Sequence, residues 1–86
     1  MKAYLLGIVV TGIGQFSSDL IVQYYDSRGK VLEGFFDKQF VKGDRLEVSV
    51  LYSNNNEATI MAPQEGFLEA PAQLSVPLED ISYEAG

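Results

Sequence analysis

Two runs rich in β-branched and aromatic residues, Leu-Ile-Val-Gln-Tyr-Tyr at 20–25 and Val-Leu-Glu-Gly-Phe-Phe at 31–36, flank the segment Asp26-Ser27-Arg28-Gly29-Lys30. An Asp at the start of such a segment and a Gly near its end are the chemistry of a type I turn closed by a left-handed glycine. That turn fixes a register: Tyr25 opposite Val31, Tyr24 opposite Leu32, Gln23 opposite Glu33, Val22 opposite Gly34, Ile21 opposite Phe35 and Leu20 opposite Phe36. Side chains alternate between the faces of a strand. One face of this hairpin therefore carries Leu20, Val22, Tyr24, Leu32 and Phe36, all apolar, and must be core. The other carries Ile21, Tyr25, Val31 and Phe35 around the polar pair Gln23 and Glu33.

The rest of the chain follows the same grammar. No stretch repeats apolar residues at helical spacing for two clean turns, so no substantial helix is expected. The opening run, 3–13, reads as one long strand bent at Gly7, and its β-branched content favours a strand over a signal sequence. A tight turn at Gly43-Asp44 launches a strand over 45–53. Asn54-Asn55-Asn56 turns it back into a strand over 57–62, because Asn tolerates positive φ. That register pairs Tyr52 with Ala58, Val50 with Ile60 and Val48 with Ala62, which places all six in the core. Shorter strands are expected near 66–69, 73–76 and 81–83, where Pro63, Pro71 and Pro77 confine them to edges. The expectation is a single all-β domain over 1–86, a small antiparallel SH3-like barrel of five to seven strands.

Composition narrows the chemistry. A chain of 86 residues exposes about 5,000 Å² when folded against about 14,000 Å² unfolded, enough for one thin core. It has no cysteine and no histidine, so thiolate nucleophiles, disulfides, imidazole-based triads and thiolate or imidazole metal sites are excluded. Carboxylate pairs such as Glu79-Asp80 follow from the abundance of acids and do not single out a catalytic pair. Asn- and Asp-bearing turns lack the spacing of a calcium loop, and the glycines at 7, 12 and 14 precede no helix that could cradle a phosphate. The chain reads as no enzyme, with no metal and no cofactor, and no apolar run approaches the ~20 residues of a membrane helix.

The charge is divided unevenly. All six basic residues lie within the first 45 positions, while the remainder holds seven acids (Glu47, Glu57, Glu65, Glu69, Glu79, Asp80 and Glu84) and no base, for a net charge of −6. A nucleic-acid binder needs clustered Lys and Arg, which this chain lacks. The aromatic face of the 20–36 hairpin is depleted in charge, as the centres of protein interfaces are. The expected function is a non-catalytic protein-protein interaction module or a repeated subunit of an assembly. Its contact residues would be Ile21, Tyr25, Val31, Glu33 and Phe35, and its partner a second copy, in a homo-oligomer, or a basic protein. Two other readings stay open: a small acidic inhibitor or nucleic-acid mimic of phage or mobile-element type, and a single-stranded nucleic-acid-binding barrel that stacks bases on these rings. The expected compartment is the cytoplasm.

Overall fold

A computed structural model describes residues 2–14, 18–25, 29, 31–63 and 73–84, Val31 by its backbone alone. Among these residues nine strands follow in order: β1 (Lys2–Leu6), β2 (Val9–Ile13), β3 (Asp19–Tyr25), β4 (Val31–Asp37), β5 (Val41–Lys42), β6 (Arg45–Ser53), β7 (Glu57–Met61), β8 (Gln73–Pro77) and β9 (Ile81–Glu84). Two three-residue 3-10 turns, Lys38–Phe40 and Leu78–Asp80, are the only helical elements among the described residues. The strand expected near 66–69 lies outside those residues.

The strands form two antiparallel sheets. One has the path β8-β7-β6-β1-β9 with β5 also on β6; the other is β2-β3-β4. The single barrel of five to seven strands therefore gives way to two sheets and nine strands, and the cause is Gly7. Its φ is +76°, a conformation that costs a residue with a Cβ but not glycine. The expected long first strand turns there, sending β1 between β6 and β9 of the five-strand path and β2 to an edge of the smaller sheet. Ile8, just past the corner, donates its N–H to the Asp44 carbonyl at 3.1 Å and is buried.

The five-strand path has to curl. Five strands about 4.8 Å apart would lie ~19 Å across if flat. The chain from Pro77, ending β8 at one edge, to Ile81, opening β9 at the other, has four peptide links that reach about 14 Å at most. The turn Leu78–Asp80 spans that gap, so the edges are drawn together at one corner. Among the described residues no ladder joins β8 to β9.

Curling creates the concave side that the smaller sheet fills. Leu5, Leu46, Ala58, Ile60 and Val76 from the path meet Val22, Tyr24, Leu32 and Phe36 from β3 and β4 in one apolar cluster. Leu20 packs against it half-buried. The Tyr24 hydroxyl donates to the Asp80 carboxylate, tying the smaller sheet to the turn between β8 and β9. On the other side of the path, Tyr4 is also buried, with Lys42 Nζ 5.6 Å and the Arg45 guanidinium 5.4 Å from its ring centroid. These are cation–π distances.

The β6–β7 hairpin corrects the sequence reading in one respect. Val50 faces Ile60 as expected, but Ser53 faces Ala58 and Tyr52 faces Thr59, with a bulge at Leu51. The turn is tighter than expected: the Asn54 N–H donates to the Glu57 carbonyl at 2.9 Å, and the Asn54 Oδ1 accepts from the N–H groups of Asn56 and Glu57, both at 2.8 Å. Asn54 thus acts through its side-chain oxygen, and no described non-glycine residue has positive φ. The extra residue in the bulge restores the original register beyond it. Tyr52, expected in the core, points to solvent at 65% exposure, and Val50 is half-buried while Ile60 is buried.

Candidate interaction face

The β3–β4 register is the one the turn chemistry dictates, from Leu20 opposite Phe36 to Tyr25 opposite Val31. Gly29 takes φ +78°, as a left-handed closing residue must. Ile21, Tyr25, Glu33 and Phe35 consequently share one face, turned away from the core, and Val31 holds the register position opposite Tyr25. Their exposures differ. Tyr25 is 56% exposed, whereas Ile21, Glu33 and Phe35 are half-buried.

The half-burial comes from β2, whose place beside β3 the sequence reading missed. Gly12 pairs with Ile21 and Val9 with Gln23, and Gly14 donates its N–H to the Asp19 carbonyl at 3.0 Å. With no side chains at 12 and 14, the edge strand is low, and neighbouring side chains lean across it. A Cβ built on Gly14 would lie 3.2 Å from Phe35 Cδ1, and one on Gly12 would lie 3.5 Å from Ile21 Cδ1. The Phe35 ring therefore rests against the backbone at Gly14, just past the end of β2. Val9, 54% exposed, extends the apolar surface on the far side of Gln23. The only signal for its membership was the glycine at 7, read as a bend within one strand.

Gln23 Nε2 donates to the Glu33 carboxylate across the middle of the face. The polar pair satisfies itself, so the patch presents apolar groups around one internally bonded amide and acid. A carboxylate in this position can also accept from a partner's donor at its remaining lone pairs.

Among the described residues the acids of the second half stand elsewhere. Glu47 lies 3.4 Å from Lys2 Nζ, Glu84 pairs with Arg45, and Asp80 receives Tyr24. All three belong to the five-strand path or its connecting turn. Among the described residues no three carboxylates come together as a cation site. An open depression of about 340 Å³ beside β1 and β6 is lined by Lys2, Ala3, Glu47, Val48, Ser49, Val50 and Tyr83. Its one carboxylate, Glu47, is already paired with Lys2. Among the described residues no helix is long and apolar enough to cross a membrane. Comparison with protein-family models, curated proteins and solved structures found no match.

Proposed function

We propose that the chain is a non-catalytic protein-interaction module, docking through the outer face of β3 and β4 with Val9 of β2 at its border. The observation that carries this reading is an exposed ring, Tyr25, at one end of a face that has Ile21 opposite Phe35 at the other and central polar groups that bond to each other. Tyrosine and phenylalanine held in fixed positions contribute contact area at little cost in side-chain entropy. Exposed apolar surface covered at about 25 cal/mol per Å² favours association without fixing its affinity. We read the scaffold as half-closed and SH3-like in its curled five-strand path, and the partner as a protein rather than nucleic acid, since Lys2, Lys42 and Arg45 are occupied by Glu47, Tyr4 and Glu84. A cytoplasmic location fits a chain without cysteine.

The test is Tyr25→Glu alone and combined with Phe35→Glu, read by light scattering and by recovery of bound protein from the host. Both variants should lose association while circular dichroism retains the β spectrum. Tyr25→Glu that associates as the wild type does would refute the reading, as would a wild type that is monomeric at high concentration and recovers no partner.

A further inference from the structure

The docking face carries charges that the fold itself does not answer. In the β3–β4 register Asp19 stands directly opposite Asp37, on the same face as Ile21 and Phe35. The face is laid out in rows: the two aspartates, then Ile21 with Phe35, then Gln23 with Glu33, then Tyr25 beside the Val31 position. Successive rows lie ~6.8 Å apart, twice the rise per residue. Like charges directly opposite each other weaken a sheet, so the Asp19–Asp37 pair needs a cause.

Local structure supplies a cause for one of the two. Asp37 Oδ1 accepts the Gln39 N–H at 2.9 Å, which starts the turn Lys38–Phe40. Among the described residues the half-buried Asp19 side chain has no hydrogen-bond or ion-pair partner. Glu33 is met by the Gln23 amide, which is neutral. The described bases stand away from all three carboxylates: Lys2 and Arg45 pair with Glu47 and Glu84, Lys42 lies over Tyr4, and Lys38 joins no ion pair.

We propose that the partner of this face is a basic protein segment bearing arginine and apolar side chains, with an arginine seated on Asp19 and Asp37 and the apolar groups covering Ile21, Phe35 and Tyr25. The inference rests on the docking face proposed above and names what docks there. Charge selects the occupant. Three carboxylates without a cation, on a chain of net charge −6, repel a second copy and attract a cationic segment. Arginine suits the aspartate pair better than lysine, because its planar fork can bond two carboxylates and also stack on a ring. A single point, the Cβ position at Gly14, lies 2.9 Å from Asp19 Cβ and 3.2 Å from Phe35 Cδ1. The ring and the acid are therefore neighbours, and a guanidinium that bonds Asp19 lies within cation–π reach of Phe35.

The probe is a fluorescent peptide, Arg-Ser-Leu-Ser-Arg-Ser-Leu, which when extended presents Arg and Leu by turns on one side at the spacing of the rows. Its binding to the full chain should be measured by anisotropy at ~0.15 M salt, where charges are screened beyond about 8 Å. Asp19→Asn should weaken binding about tenfold, the loss of one charge-assisted bond. Glu79→Gln makes the same change of charge on the exposed side of the turn Leu78–Asp80 and should alter binding by less than about twofold. Tyr25→Glu should abolish binding although it adds a negative charge. Asp19→Asn should unfold in urea at or above the wild-type midpoint, since it relieves the like-charge pair. The proposal is overturned by a peptide that fails to bind up to ~1 mM, by equal losses in Asp19→Asn and Glu79→Gln, or by a lowered midpoint that makes Asp19 a structural residue. A wild type that ignores the peptide but still associates with protein through Tyr25 removes this inference and leaves the docking face standing. Association that is insensitive to Tyr25→Glu removes both.

Discussion

Tyr24→Phe removes one oxygen and tests what holds the two sheets together. The ring of Tyr24 fills the core between β3 and the five-strand path, and Phe keeps that volume. What is lost is the hydroxyl's bond to the Asp80 carboxylate. A hydrogen bond to a charged group contributes about 1.5–3 kcal/mol. Asp80 is half-exposed and regains water when the donor is gone, so the low end applies, about 1.5 kcal/mol. For a domain of this size each kcal/mol shifts Tm by roughly 4–8 °C, which gives a fall of about 6–12 °C. Urea unfolding followed by circular dichroism should show a lower midpoint at unchanged m-value, since the surface exposed on unfolding is the same. Combined with Asp80→Ala in a double-mutant cycle, the coupling should be at least ~0.5 kcal/mol, the range of residues in direct contact. A Tyr24→Phe variant within ~0.3 kcal/mol of wild type, the scatter of uncoupled sites, would refute the tether.

The glycines separate conformational from steric cost. A Cβ on Gly7 meets nothing within 4 Å, so Gly7→Ala should lose about 1 kcal/mol from the left-handed backbone alone, measured by chemical unfolding. On Gly14 a Cβ would lie 2.9 Å from Asp19 Cβ; Gly14→Ala should cost about 1–3 kcal/mol through crowding, whereas Gly12→Ala, with ordinary contact, should stay within ~0.5 kcal/mol of wild type. Tyr52→Ser should likewise change stability by less than ~0.5 kcal/mol, and Ile60→Ala should lose about 2–5 kcal/mol; equal losses at the two positions would return Tyr52 to the core. Lys2→Met should shift the unfolding midpoint little, since a half-exposed ion pair contributes at most ~1 kcal/mol.

The hairpin of β3 and β4 was readable residue by residue because its turn chemistry and its alternation agree, leaving a single register that buries an apolar face. The β6–β7 hairpin was readable only in part. Its three asparagines locate a turn without saying which of them closes it, and a bulge at Leu51 compensates a one-residue difference in the turn while reversing Tyr52. Gly7 marked a bend, but no local signal distinguishes a bent strand from one that leaves its sheet; the choice is made by what β1 and β2 each find to pair with. The candidate face was legible for the same reason as its hairpin. Its border was not, because Gly12 and Gly14 contribute by having no side chain, and Val9 joins through a pairing across 14 residues of sequence.

The most direct test of the docking face places a photo-reactive side chain on it. Tyr25→p-benzoylphenylalanine puts a benzophenone at the exposed end of the proposed contact, and Ser53→p-benzoylphenylalanine puts the same group at an exposed position on the other sheet. Illumination should join position 25 to protein, either a second copy in the purified chain or a partner in host extract, and should join position 53 far less. Equal yields at 25 and 53 in both preparations would contradict the account.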